Sequence, residues 1–499
     1  MLSGIDYVVI AIYGVLMVGI AAIAKRRTAT VDDYFAAGHK LPWWMAAISH
    51  HVSGYSAVVF VGFAGKAASA GLSMWTLFAL PTFIAMIVGC FVWAPRWARL
   101  KVLTPVEYLE RRYNNAVRVV VALAGIGVKF IDLGIKLYAI SIVVQVCTGW
   151  DLVPIIIGAG IVTIVYVMIG GLWATVLTDL VQFVVQLVLS ALVVGAVLVA
   201  LGGWSNMWSQ LPPERYEFLN PSQGIDLEFW LIYLLVIILS YNGATWGLAQ
   251  RFIAVGKARD TQKAALLSGI LFLFYPIVIF IPAWAAPLVM PEQFDSTTLL
   301  PLADYDPQQT YVLVARQFLD GLSPGLIGLL VCSMFAATMS MIDSDINALA
   351  AVFTKDIFQR NFGAKASEAV LGRVAVYATV GFGLAVLATA LGVAASEGVN
   401  KVFSQTVKLY GAILAPIAIP LMFGMLWRRP SARGALASLI VGFCITLYLK
   451  SAHPDSFVIY TGGGMLASLV IFFGDGFLSR RSAAKEQEID ALFAQVNSD

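Results

Sequence analysis

The chain of 499 residues is 60% hydrophobic and only 12% charged, with a formal net charge of +3. Such a composition excludes a water-soluble domain and places the chain among all-α integral membrane proteins. No soluble catalytic module and no nucleic-acid partner are expected, and four scattered cysteines (Cys90, Cys147, Cys332, Cys444) read as packing residues, not disulfides or metal ligands.

About thirteen apolar stretches are long enough to cross a bilayer, at roughly 18–28 residues each. They fall at 5–24, 43–64, 71–94, 119–146, 152–171, 176–201, 228–250, 264–289, 309–352, 370–393, 404–426, 433–450 and 457–477. The first is no cleavable signal, because its Lys25-Arg26-Arg27 cluster follows the apolar run instead of preceding it. The second, Ile48–Gly62 (ISHHVSGYSAVVFVG), carries two histidines and a Ser-Gly-Tyr-Ser tetrad. Leu239–Gln250 (LSYNGATWGLAQ) repeats a polar, glycine-centred interruption. In lipid, backbone freed from a helix survives only where it lines a cavity or binds something. Paired interruptions in two halves of a chain point to a transporter with its site near the bilayer midplane. The stretch 309–352 is too long for one span and reads as an entry segment near Arg316 followed by an overlong helix.

Lys and Arg concentrate in alternate loops, 24 of the 32 falling on one side when Arg251 is counted with the loop after it. This bias puts the amino terminus outside and the carboxyl terminus in the cytoplasm, with an odd number of spans. If the two interruptions correspond, spans two to six match spans seven to eleven, and five helices per half require opposite insertion. The expected organisation is a first helix and cytoplasmic loop (1–42), a first repeat (43–201), an external loop (202–227), a second repeat (228–426), two further helices (427–479) and a tail (480–499).

Charged groups inside spans each cost several kcal/mol and need a reason. Lys129, Asp132 and Lys136 are spaced i, i+3, i+7 on one helix face, either a self-neutralising ladder or part of a pocket with an ammonium to spare for a carboxylate. Asp179 stands alone in an apolar span, as an ion ligand, a proton site or an aspartate bonded to Thr178. Met334–Asn347 (MFAATMSMIDSDIN) holds Thr338, Ser340, Asp343, Ser344 and Asp345. There the Met341 carbonyl, the Ser344 hydroxyl and the Asp345 carboxylate can converge as hard oxygen ligands for Na⁺, or the carboxylates can carry protons. His50 and His51 point about 100° apart on a helix. Chelation of one metal by both is disfavoured, which leaves a core or gating role, with a proton relay as the alternative.

These motifs, taken together, resemble the sodium/solute symporter family, whose members include sodium–glucose, sodium–proline and sodium–sialic acid transporters. The resemblance rests on VDDYFAAGHKLPWW (Val31–Trp44), the broken helix, PVEYLERRY (Pro105–Tyr113) and YVMIGGLWATVLTDLVQ (Tyr166–Gln182). It continues through AQRFIAVGKARDTQKA (Ala249–Ala264), the Thr338–Asn347 segment and TKDIF (Thr354–Phe358). It implies inverted five-helix repeats of the LeuT type, broken first and sixth core helices, and alternating access. It also implies a Na⁺ site made by the carbonyls of Val52, Tyr55 and Met341 with the side chains of Ser344 and Asp345. Asp179 would serve a second ion site or the coupling relay. Asp345 departs from the Ser or Thr common in the family, which leaves Na⁺ and H⁺ both open.

By position in the resemblance, the solute pocket would draw on Ser53, Gly54, Ser56, Trp75, Asp132, Lys136, Tyr241 and Lys408. Leu77 and Phe78 stand where sugar contacts would be expected, so a small carboxylate or amino acid is favoured over a hexose. The reading is therefore a non-enzymatic secondary symporter in a bacterial inner membrane. Its partners would be a small solute and the bilayer, with no obligate protein partner and a monomer or homodimer equally open. An H⁺-coupled symporter and a transporter-like sensor are the alternatives. No phosphate-binding loop suggests a primary pump.

Overall fold

The computed structural model describes residues 2–24, 31–169, 172–396, 401–479 and 482–498. Gly170 and Gly171 of the central motif and the basic clusters Lys25–Arg27 and Arg480–Arg481 lie outside the described residues. In chain order the main helices are α1 (Gly4–Ala24), α2 (Trp43–Ser53), α3 (Val59–Ala70), α4 (Ser73–Val92) and α5 (Asn115–Thr148). They continue with α6 (Leu152–Ile169), α7 (Leu172–Ala200), α8 (Leu227–Leu239), α9 (Trp246–Val255) and α10 (Ala258–Val289). The rest are α11 (Leu326–Ala351), α12 (Glu368–Ala395), α13 (Lys401–Leu409), α14 (Ala415–Phe423), α15 (Ala432–Ala452), α16 (Gly463–Leu478) and α17 (Ala483–Asn497).

Nine of the described helical segments are long and apolar enough to cross a membrane on those grounds alone. They coincide with nine of the thirteen expected spans. The other four stretches are carried by α2 with α3, by α5, by α6 and by α13 with α14. The first of these is broken, α13 runs into α14 through a π-helical turn at Tyr410–Leu414, α6 is short, and α5 carries Lys129, Asp132 and Lys136. The stretch 309–352 divides as its length requires, into a short helix Thr310–Leu319 and α11.

Local chemistry fixes the helix ends. Asn114 accepts from the Val117 amide at 3.0 Å to start α5, and Gly149 closes it at a φ of 74° that favours glycine. Asp226 and Ser431 open α8 and α15 the same way. Each half of the bundle begins on a broken helix, the first at 54–56 and the second at 240–245. α4 packs on α10, α5 on α12, α10 on α2, and α7 on α11, so α11 lies at the centre with 83% of its apolar window buried.

The breaks are stabilised by re-partnering the freed backbone. The Val52 carbonyl accepts from the Tyr55 amide at 3.0 Å, and Ser56 caps the second half through the Val58 amide at 3.3 Å. The Ala57 amide reaches across to Thr338 Oγ1 of α11 at 2.9 Å. In the second break the Thr245 amide bonds the Ser240 carbonyl at 3.0 Å, and the Gly247 amide reaches Asp345 Oδ1, also on α11, at 3.2 Å. A buried amide left without a partner costs about 1–3 kcal/mol, so these contacts decide whether the breaks persist. Gly54 is required by packing, since a Cβ there would lie 2.3 Å from Phe272 Cζ. At Gly247 a Cβ would lie 2.5 Å from the Asp345 carboxylate that its amide bonds.

Candidate ion and solute sites

A lattice of buried charge joins α2, α5, α7, α9 and α11. Asp179 of α7 accepts short hydrogen bonds from Ser49 of α2 and Ser340 of α11. Arg251 Nη2 stands 3.5 Å from the same carboxylate. That guanidinium donates to Ser53 Oγ at 2.8 Å, Ser344 Oγ at 2.6 Å, Ser49 Oγ at 3.1 Å and the Gly247 carbonyl at 2.8 Å. Arg251 and Asp179 are both 0% exposed. A guanidinium is the cation suited to such a place, because its planar fork meets several acceptors at once.

Beside it lies a second group. Lys129 Nζ is 2.8 Å from Asp132 Oδ2 and 2.9 Å from Asp345 Oδ2. Lys136 Nζ is 2.6 Å from the same Asp132 oxygen and 3.9 Å from Asp345. Two ammonium groups and two carboxylates thus neutralise one another, and the Tyr410 hydroxyl reaches Asp132 Oδ1 at 3.4 Å. The α5 stripe is a ladder whose missing rung comes from α11.

Between the two breaks lies a small cavity of about 40 Å³, with room for a few waters or a very small solute. Gly54 and Ser56 line it from the first break, Tyr241 and Thr245 from the second, and Lys136, Met341, Thr406 and Tyr410 from the other walls. Phe63, Phe78 and Tyr233 supply aromatic surface. Tyr241 also directs its hydroxyl to the Gly54 carbonyl at 3.4 Å, across the gap between the halves.

Several expected site residues take other positions. Lys408 is exposed and borders a separate surface pocket with Gln223 and Asp455, because α13 turns Thr406 and Tyr410, four residues apart, inward. Trp75 is tied to α10 through its indole N–H and the Leu273 carbonyl at 3.0 Å, and Phe78 is the α4 residue that meets the cavity. Ser53 and Asp132 lie behind the wall, bonded to Arg251 and to the lysines. Ser344 is held by Arg251, and Asp345 by Lys129 and the Gly247 amide of the second broken helix, while Thr338 and Ser340 are the α11 residues bonded beside the first break. The carbonyls of Val52 and Met341 belong to the facing segments, and the Tyr55 ring stacks on Phe272 with centroids 5.3 Å apart.

The histidines divide. His50 bonds Ser268 Oγ at 2.8 Å and stacks on Phe252, whereas His51 sits among Tyr55, Phe183, Phe272 and Tyr275 with neither ring nitrogen hydrogen-bonded. Sequence reasoning missed Arg251 by counting it with the positively charged loop that follows. Its position four residues after Gly247, inside the second broken helix, was the available signal.

Two broken helices facing a central polar cavity, each pinned to one buried helix, define a secondary transporter of the inverted-repeat, LeuT type. The profile of the sodium:solute symporter family matches residues 34–442, and the chain belongs to that family, in which Na⁺ is the coupling ion. It is 26% identical over 476 residues to a sodium/glucose cotransporter of Vibrio parahaemolyticus, covering 90% of this chain and 86% of that one. It is 25% identical over 516 residues to a sodium/sialic acid symporter of Aliivibrio fischeri, covering 98% and 96%. Human sodium-coupled monocarboxylate transporter 1 is 27% identical over 460 residues, with 89% of this chain and 73% of that one covered. The fold matches a solved Na⁺-coupled sialic acid symporter with a TM-score of 0.83 at 21% identity, over 96% of this chain and 98% of that one. The protein is thus a multi-pass sodium-coupled solute transporter and not an enzyme.

Proposed function

We propose that this symporter carries a small organic solute bearing a carboxylate, such as a monocarboxylate or an amino acid, into the cell with Na⁺. The supporting observation is Lys136, the one charged side chain lining the central cavity among the described residues. It is flanked there by the hydroxyls of Ser56, Thr245, Thr406 and Tyr410 and by the Tyr241 ring, with no carboxylate on the wall. The Lys136 ammonium is paired with Asp132 at 2.6 Å, and a carboxylate entering the cavity would share that charge, whereas a hexose offers no such partner. The same reading assigns sodium to the oxygen groups of the α2–α3 break and of Met341–Asp345 on α11. The orientation proposed from the basic loops puts the amino terminus outside and the carboxyl terminus in the cytoplasm of a bacterial inner membrane.

The test is uptake into proteoliposomes under an inward Na⁺ gradient, with a panel of monocarboxylates, amino acids and hexoses. Sodium-dependent uptake of one carboxylate is expected, abolished by Lys136→Met and retained in part by Lys136→Arg. Transport of an uncharged sugar that survives Lys136→Met sinks the assignment.

A further inference from the structure

Away from the transport site, a second cavity of about 670 Å³ opens at the end of the bundle where α9 turns into α10. Its walls carry Arg99 and Lys101 from the end of the short helix Ala94–Leu100, Lys257 and Arg259 from the α9–α10 turn, and Lys263 from α10. Asp260, paired with Lys263 at 3.0 Å, is the one carboxylate among the described lining residues. The tail adds only the neutral Gln495 and Ser498. Five cations against one carboxylate leave four positive charges unanswered. Lys101 Nζ and Arg99 Nη1 donate instead to backbone carbonyls, those of Gly256 and Val496. Guanidinium and ammonium groups gathered in this way suit the oxygens of a phosphate.

A solvated basic face would be followed by polar surface, and this one is not. Arg259, Lys263, Leu266, Ile270 and Phe274 succeed one another at three- or four-residue spacing along a single face of α10. Leu266, Ile270 and Phe274 are 43%, 41% and 60% exposed, an apolar strip suited to hydrocarbon. Where the cations give way to this strip, Lys263 Nζ stands 5.8 Å from the centroid of the Trp43 ring, and the adjoining Trp44 is 45% exposed. Tryptophan at such a junction marks the membrane–water interface. The cavity therefore lies at the level of the lipid headgroups and the strip at the level of the acyl chains.

We infer that this cavity binds an anionic phospholipid, with its phosphate held by Arg99, Lys101, Lys257 and Arg259 and an acyl chain laid along Leu266, Ile270 and Phe274. The bound headgroup joins the helix that follows α4 to the turn that follows the second broken helix. The site is independent of the solute and sodium assignments above.

The experiment titrates the purified full-length chain in detergent with phosphatidylglycerol, phosphatidylcholine or soluble glycerol phosphate at constant ionic strength. It reads the thermal midpoint and, by native mass spectrometry, the number of lipids retained. Phosphatidylglycerol is expected to raise the midpoint and to be retained, and phosphatidylcholine to do neither. Lys257→Gln/Arg259→Gln should weaken phosphatidylglycerol binding by about tenfold or more. Both side chains are exposed, and the single variants, each losing severalfold, carry the same reading if the double variant does not fold. Lys365→Gln/Arg373→Gln removes the same charge from other exposed positions and should bind within about twofold of wild type. Equal binding of the two lipids, or equal losses in the two double variants, overturns the inference. So does an equal shift from glycerol phosphate at the same concentration, which would make the ligand a free anion.

Discussion

Two ion-pair clusters occupy different depths of the molecule and behave differently for that reason. At the centre, Asp179 with Arg251 and the Lys129–Asp132–Lys136–Asp345 group are all within 3% of complete burial. At the end of the bundle carrying the loop between α4 and α5, Glu110 meets Arg118 at 2.6 Å and Arg360 at 2.9 Å, and Arg118 also pairs with Asp356. There the Arg360 side chain is 54% exposed. Water screens the outer cluster only at its Arg360 edge, since the Arg118–Asp356 pair beside it is buried. The inner cluster has no such relief, and every charge there is answered by a named partner or calls for an ion.

The sharpest way to test this contrast is Arg251→Met. Removing one member of a buried pair is expected to cost about 3–5 kcal/mol, read as a lowered thermal midpoint in sodium-free buffer. Added Na⁺ should restore part of that loss, because the bared Asp179 can recruit it, and an absence of sodium rescue breaks the proposed distinction. A smaller effect is expected from Thr338→Val, which removes the hydroxyl that receives the Ala57 amide. Its cost is about 1–2 kcal/mol, and hydrogen exchange should report faster exchange confined to the first break.

The smallest effect belongs to the outer cluster. Arg360→Ala should change stability by at most about 1 kcal/mol and show no sodium rescue. Burial pushes the Glu110 carboxyl up, but hydrogen bonds from Arg360 and Arg118 and their charge outweigh it, so its pKa lies below the ordinary value. A depressed carboxylate stabilises the fold above its unfolded value of about 4.3 and loses that contribution as pH falls through the folded one. Acid unfolding curves of wild type and Glu110→Gln should therefore converge below that window and separate above it.

Much of the architecture was legible because helix interruption leaves a local mark. Ser53-Gly54-Tyr55-Ser56 and Ser240–Thr245 interrupt apolar runs with polar residues and glycine, and both are breaks. The Lys129, Asp132, Lys136 stripe was legible from its spacing, and its closure was not. The last partner, Asp345, stands 216 residues further along the chain, and only folding selects it from the acids of α11. Arg251 was illegible for the converse reason. A single arginine near a basic loop looks solvated until Ser49, Ser53 and Ser344, from distant segments, close around it. Lys408 misled because burial depends on which side of α13 faces inward, and Thr406 with Tyr410 decides that.

The contacts of α11 with both breaks have a mechanical corollary. Thr338 grips the first hinge and Asp345 the second, two turns apart on one rod. Any tilt of that rod tugs on both hinges together, so the two gates cannot swing as separate doors. They share an axle, and a substitution that stiffens it should slow opening toward either side of the bilayer.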